Sequence, residues 1–141
     1  MSNIETPFPG GTYRITREEN LALCDAIGAE PDPSGRAHPI FYYIATQVGM
    51  GLTVAELCER CDFDVADGPM ITHSDAEFEG ELCVEKDYAI SGEIVSLVRK
   101  PSRTFGAVDL LTYQLRMSLE EPGYCVVATN RWILPRREEA I

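Results

Sequence analysis

The side chains best suited to proton transfer lie in one short segment that contains Glu30, Asp32 and His38. Carboxylates and an imidazole are the groups that most often serve as general acids and bases. Each of these residues also has a structural interpretation. His38 precedes a predicted helix and could cap its N-terminus, whereas Glu30 and Asp32 could be solvated side chains of a loop. The segment therefore supplies three catalytic candidates without deciding between these roles.

Other reactive residue types give weaker signals. Cys58 and Cys61 form a single Cys-x-x-Cys pair without the second pair that a structural zinc site needs, so core packing explains them better. His73 alternates with apolar neighbours on a predicted strand and is expected to be exposed or satisfied there. Asp109 interrupts an apolar strand and could be functional or could pair with an arginine such as Arg103. No metal site is predicted.

Arg99, Lys100 and Arg103 form a basic group beside a proline turn. They could bind a phosphate-bearing ligand, or they could be solvated charges at a strand end. The rest of the chain is acidic, because residues 1–98 carry a charge of -13 and residues 99–141 carry +2. A phosphate backbone would be repelled by most of this surface, so nucleic acid is not expected as a partner.

The number and spacing of the cysteines and the hydropathy of the chain indicate its cellular location. Five cysteines, odd in number and irregularly spaced, argue against a disulfide framework and favour a reducing compartment, so we expect a cytoplasmic protein. We see no leader segment and no apolar stretch near the roughly 20 residues that a bilayer span needs, so no membrane association is expected.

The first part of the chain predicts one strand and one helix. Residues 1–10, rich in proline and glycine, indicate a flexible arm, and residues 11–141 are expected to form a single domain. A short edge strand is predicted at 12–15. Thr16 and Glu19 have the spacing of a capping box, which predicts a helix that ends at Gly28. The following segment to Ala37 contains prolines, aspartate and glycine and predicts a loop.

Residues 37–51 form an apolar segment with almost no polar face. Pro39 suits the first turn of a helix, although the composition of residues 40–44 would also suit a buried strand. We favour a helix because of its length and Pro39. Thr53 and Glu56 repeat the capping-box pattern, and the two pieces could form one kinked helix. A helix that is apolar on every side must be covered by a sheet.

From Met70 onward the apolar residues recur with period two. This pattern predicts strands at about 70–79, 87–98, 104–119 and 124–134, with an antiparallel turn at 120–123. One face of the third strand would carry Leu111, Tyr113, Leu115, Met117 and Leu119. The chain is therefore predicted to be an α+β protein in which an antiparallel sheet wraps around a central buried helix.

This order of elements resembles the MaoC-like dehydratase branch of the hot-dog superfamily. More narrowly, it is similar to the N-terminal (FAS1-like) dehydratase type that is related to (R)-specific enoyl-CoA hydratases. The resemblance covers residues 11–137 as a pattern and implies the hot-dog fold. The sequence motifs that carry the resemblance are Ala26-Ile27-Gly28 before the proline-rich loop, His38-Pro39 at the helix start, the run from Gly80 to Asp87, and the run from Asn130 to Arg136.

The resemblance implies that an aspartate and a histidine in the loop after the first helix activate one water. This chain departs from that pattern, so Glu30 or Asp32 would stand in for the acidic members and His38 is the nearby imidazole. Pro39 replaces a residue whose amide polarises the thioester carbonyl in the family, which leaves the amides of Ile40 or Phe41.

The resemblance also implies the ligand contacts and the activity. One side of the helix start, with Ile40, Phe41 and Tyr42, would border the acyl group, although the aromatic residues there would also suit the core. The basic group of Arg99, Lys100 and Arg103 is a candidate to hold coenzyme A or a carrier-protein phosphopantetheine because of its charge. The implied activity is hydration or dehydration of a 2-enoyl thioester, without metal, flavin or nicotinamide, by a homodimer or a heterodimer with a catalytic MaoC-like chain. Two alternatives remain, namely a non-catalytic binding or scaffolding subunit and a thioesterase on the same fold.

Overall fold

The alternating pattern of the second half produces one antiparallel sheet. A computed structural model describes residues 4–119 and 125–136 of the chain. The strands are β1 Gly11–Arg14, β2 Met70–Phe78, β3 Asp87–Ser102, β4 Gly106–Ser118 and β5 Val126–Pro135. The helices are α1 Arg17–Ile27, α2 Phe41–Gly49 and α3 Val54–Arg60, followed by a short 3-10 turn at Val65–Asp67. The predicted turn at residues 120–123 lies outside the described residues.

The strands lie in the order β1-β3-β4-β5-β2, and each neighbouring pair is antiparallel. Strand β3 is longer than predicted, because it continues through Pro101 to Ser102 and pairs with the start of β4. The predicted inner face of β4 is confirmed for Leu111, Tyr113, Leu115 and Met117, all of which are buried. Leu119 lies beyond the end of β4 and is exposed.

Helix α2 lies across the inner face of the sheet and contacts β1, β3, β4 and β5. Phe41 and Ala45 are buried on the side that faces the strands. The opposite side is not covered within the described chain, since the Val48 side chain is 68% exposed. The sheet therefore covers one face of the apolar helix, whereas the sequence predicts cover on every side.

Both predicted N-caps are present, but only one capping box is complete. The Thr53 hydroxyl accepts from the Glu56 amide at 3.1 Å, and the Glu56 carboxylate accepts from the Thr53 amide at 2.9 Å. The Thr16 hydroxyl accepts from the Glu19 amide, but the Glu19 carboxylate accepts from the Tyr13 hydroxyl instead. The prediction of one kinked helix is wrong, because α2 and α3 are separate helices.

The segment 4–10 differs from the predicted flexible arm, because Phe8 anchors it to the sheet. The Phe8 side chain is buried against Tyr113, with 6.1 Å between ring centroids. The Phe8 amide donates to the Gly92 carbonyl at 2.9 Å, and an added Cβ at Gly92 would lie 3.2 Å from the Phe8 ring. Apolar burial and a backbone hydrogen bond thus hold a proline-rich segment that composition alone marks as loose.

Asp109 is buried and forms ion pairs with Arg99 at 2.7 Å and Arg136 at 3.0 Å, rather than with Arg103. The Arg136 guanidinium also donates to the carbonyls of Cys61 and Asp62 after α3. This cluster therefore ties the end of β5 to the helical half of the chain.

The surroundings of the other residues singled out in the sequence, Cys58, Cys61 and His73, indicate structural roles. Cys58 and Cys61 are buried in the apolar core, and burial raises the pKa of their thiols to about 11 and about 12. Neither is a reactive thiolate near neutral pH. His73 is exposed on β2 and lies 3.0 Å from the Thr72 hydroxyl. In the described part of the chain, no helix is long and apolar enough to cross a bilayer.

Candidate active site

A cavity of about 460 Å³ lies between α1, the loop that follows it and the chain segment after β2. Its polar lining contains acidic and basic side chains. Its apolar lining comes from α1, the loop after α1 and the end of β2 with the segment that follows it. The lining residues are Asn20, Cys24, Glu30, Asp32, Arg36, Ala37, His38, Pro39, Phe78, Gly80, Glu81 and Leu82.

The three candidates for proton transfer, Glu30, Asp32 and His38, all line this cavity. They meet because the loop after α1 folds back over its own helix. The His38 amide donates to the Asn20 side-chain oxygen at 2.9 Å, and the Ala37 amide donates to the Leu82 carbonyl at 2.7 Å. The loop thus brings its charged residues to one wall of the cavity.

His38 has a defined hydrogen-bonding state. Its Nδ1 accepts from the Ile40 amide at 3.1 Å, so the neutral ring carries its proton on Nε2. In this state Nε2 is a hydrogen-bond donor and not a base. The imidazole therefore caps the start of α2 while its other nitrogen remains a donor.

The two carboxylates have different surroundings. One Asp32 oxygen accepts from the Ser34 amide at 2.8 Å and the Ser34 hydroxyl at 2.7 Å, and Arg36 lies 3.8 Å from the other. The Ser34 hydrogen bonds, helped by the Arg36 charge, hold the pKa of Asp32 below its usual range. The Glu30 carboxylate, by contrast, has no hydrogen bond or ion pair with any residue that the structure describes.

The start of α2 does not present the expected ligand contacts. The Ile40 amide donates to His38 Nδ1, and the Phe41 amide donates to the His38 carbonyl at 3.1 Å. The Phe41 side chain is buried in the core, and the Tyr42 hydroxyl lies 2.8 Å from the Ser74 hydroxyl. Ile40, Phe41 and Tyr42 are not among the residues that line the cavity.

The basic group predicted for phosphate lies elsewhere. Arg99 pairs with Asp109 in the second half of β3, and Lys100 and Arg103 are exposed at the same end of the sheet. None of the three lines the cavity. The cation at the cavity is Arg36, which forms an ion pair with Glu81 at 2.8 Å.

Sequence reasoning missed Asn20 and Arg36 as cavity residues. Asn20 lies one turn into α1, where a polar residue gives no periodic signal. Arg36 is placed by its ion pair with Glu81, which is 45 positions away along the chain. An asparagine inside a helix is unusual enough to be a weak hint, because its side chain competes for backbone hydrogen bonds.

No family model and no curated protein matches the sequence. Solved structures do match. A chain of the ChsH1-ChsH2 complex from Mycobacterium tuberculosis has a TM-score of 0.72 at 14% identity, over 95% of this chain and 86% of that one. The chain has the hot-dog fold.

Two further structures agree with this assignment. A chain of the HadBC (3R)-hydroxyacyl-ACP dehydratase complex from Mycobacterium tuberculosis has a TM-score of 0.65 at 12% identity, over 91% of this chain and 94% of that one. The MaoC-like dehydratase from Rhodospirillum rubrum has a TM-score of 0.63 at 12% identity, over 95% and 93%. Thioesterases are also among the matches. The predicted hot-dog fold is confirmed, and at these identities the likeness is one of fold.

Proposed function

We propose that this hot-dog chain is a subunit of an acyl-thioester hydratase or dehydratase. Its substrate would be a 2-enoyl thioester, or the corresponding 3-hydroxyacyl thioester, of coenzyme A or an acyl carrier protein. The observation that carries the proposal is the meeting of Glu30, Asp32 and His38 in one cavity of this fold. The similarity to dehydratase chains supports the same reaction class.

Glu30 is assigned as the base, because both of its oxygens are free to accept a hydrogen bond from water. Its carboxylate takes a proton from water as the water oxygen bonds to C3 of the enoyl group. The electrons of the C2–C3 double bond shift toward the thioester carbonyl, and Glu30 then returns the same proton to C2. One water is added, Glu30 regains its charge, and dehydration is the reverse sequence.

The other two residues have supporting roles in this scheme. His38 Nε2–H donates a hydrogen bond to the oxygen that is added or lost, which follows from the acceptor role of its Nδ1. Asp32 is a weak base because its pKa is lowered, and its bonds to Ser34 shape the loop that carries Glu30. Asp32 is therefore a positioning residue.

A second hot-dog chain would complete the assembly, as a homodimer or with a catalytic MaoC-like partner. Strand β2 is an edge strand of nine residues, and its last residue, Phe78, lines the cavity. A chain paired along this edge would therefore reach the cavity, and the exposed side of α2 leaves further apolar surface. The similarity to chains of two complexes supports a heteromer.

Hydration of crotonyl-CoA tests the proposal, because removal of the double bond conjugated to the thioester lowers the ultraviolet absorbance of the substrate. The Glu30→Gln variant is expected to lose about 100- to 10,000-fold in kcat, the usual contribution of a general base. Glu79→Gln is the matched control, since Glu79 is exposed and does not line the cavity. Full turnover by Glu30→Gln would contradict the assignment of Glu30.

Two other outcomes identify the alternatives. Release of free thiol from acyl-CoA indicates a thioesterase, since hydration leaves the thioester intact. If turnover requires an added MaoC-like chain and is unaffected by Glu30→Gln, the chain is a binding or scaffolding subunit.

A further inference from the structure

The backbone at the start of α2 offers no donor to the cavity. Pro39 has no N–H, and the amides of Ile40 and Phe41 already donate to His38 Nδ1 and to the His38 carbonyl. Negative charge that develops on a thioester carbonyl needs positioned hydrogen-bond donors. In this chain the start of α2 supplies no such donor, so the donor has to come from another part of the cavity wall.

Asn20 is placed to supply it. Its side chain lies on α1, lines the cavity and is only 4% exposed. The Asn20 Oδ1 accepts from the His38 amide at 2.9 Å and from the Cys24 thiol at 4.0 Å. These contacts fix the orientation of the amide plane, because an Nδ2 group could not accept either hydrogen bond.

The Nδ2 group of Asn20 has no hydrogen-bond partner among the described residues. Within that part of the chain, Trp132 Nε1 is the one side-chain nitrogen or oxygen that is both fully enclosed and unpartnered. Asn20 Nδ2 is therefore not fully enclosed, and Asn20 is one of the residues that line the cavity. A largely buried residue with an unpartnered amide donor thus lies in the same cavity wall as Glu30 and His38.

We infer that Asn20 Nδ2 donates a hydrogen bond to the thioester carbonyl oxygen of a bound acyl group. This inference rests on the proposed function and adds a residue to it. Asn20 would replace the backbone donor that Pro39 removes, while its Oδ1 holds the backbone of His38. A single amide would then fix the distance between the carbonyl and the imidazole.

The Asn20→Asp variant tests the inference, because it keeps an acceptor for the His38 amide and removes the Nδ2 donor. The probe is 2,4-hexadienoyl-CoA, whose absorption moves to longer wavelength when its carbonyl is polarised. The wild-type protein is expected to produce this shift and Asn20→Asp to lose it. For crotonyl-CoA, kcat/KM should fall about 100- to 1000-fold, the usual loss of one oxyanion donor. The Kd of free coenzyme A, which lacks the thioester carbonyl, should not change.

Two further variants separate this role from general destabilisation. Tyr13→Phe is the control, because it removes a hydrogen bond to Glu19, which lies on α1 as Asn20 does. Neither Tyr13 nor Glu19 lines the cavity. This variant should keep the spectral shift. Asn20→Leu removes the donor without adding charge and should lose the shift. A folded Asn20→Asp or Asn20→Leu protein that keeps both the shift and kcat/KM would overturn the inference.

A measurement on the wild-type protein removes the dependence on folded variants. The Asn20 side-chain amide resonance should move downfield on addition of hexadienoyl-CoA and stay in place with free coenzyme A. An unchanged resonance in a protein that hydrates crotonyl-CoA rejects the Asn20 role alone. If the protein neither binds nor hydrates acyl-CoA, with or without a MaoC-like partner, the proposed function fails and the inference fails with it.

Discussion

At the scale of single residues, a buried group of charges lies away from the cavity. Asp109 is 4% exposed and Arg136 is 8% exposed. Burial alone would raise the pKa of Asp109, but hydrogen bonds from Arg99 and Arg136 outweigh it and hold the pKa below its usual range. The carboxylate therefore stays charged inside the protein, where removing one partner leaves the other uncompensated.

We predict that Asp109→Asn lowers the free energy of unfolding by about 3 kcal/mol at pH 7, as expected when a buried ion pair loses one member. Because the folded pKa is depressed, the stabilisation is complete above the unfolded value of about 4 and is lost as the pH falls through the folded value. Urea unfolding should therefore show the difference between wild type and variant shrinking below about pH 4. A difference that stays constant to pH 2 would contradict this account.

At the scale of elements, local sequence signals were sufficient wherever the deciding interactions are local. The capping residues Thr16 and Thr53 and the left-handed Gly28 marked the helix ends correctly, since these interactions span few residues. Period-two apolar residues marked the four long strands. The same patterns did not reveal that α2 keeps one face exposed, because cover depends on how far the sheet extends around it.

The candidate site was predicted in part for the same reason. Residue type alone makes Glu30, Asp32 and His38 candidates, and all three line one cavity. Asn20 was not identified, because its contact with the His38 amide joins residues 18 positions apart. Charge makes Arg99, Lys100 and Arg103 candidates to bind a phosphate, but charge does not specify which end of a sheet a ligand approaches.

The two N-caps give a prediction at this scale. Thr53→Ala should destabilise the protein by about 1 kcal/mol, the usual value for loss of an N-cap, and Thr16→Ala should do so by less. The difference arises because Thr53 belongs to a complete capping box, whereas Glu19 is held by Tyr13. Thermal unfolding of both variants measures it. Equal losses in the two variants would show that the second half of the box adds nothing.

At the scale of the whole molecule, the sheet has two unequal edges. Strand β1 has four residues, whereas β2 has nine and is largely exposed. Long free edges of this kind are sites where a further strand adds, and nothing in the described chain covers β2 on its outer side. The apolar residues Met70, Ile71 and Phe78 along it are each about 40 to 50% exposed. Both features favour association through β2.

We predict that Ile71→Lys weakens self-association, or association with a MaoC-like partner, by at least about tenfold in Kd, because it places a charge in an apolar interface. Val95→Lys is the matched control, since Val95 is also an exposed apolar residue but lies on β3, separated from β2 by two strands. Sedimentation velocity over a concentration series measures both. Dissociation by Val95→Lys and not by Ile71→Lys would move the interface from the β2 edge to the outer surface of β3, and the cavity beside Phe78 would then be complete within one chain.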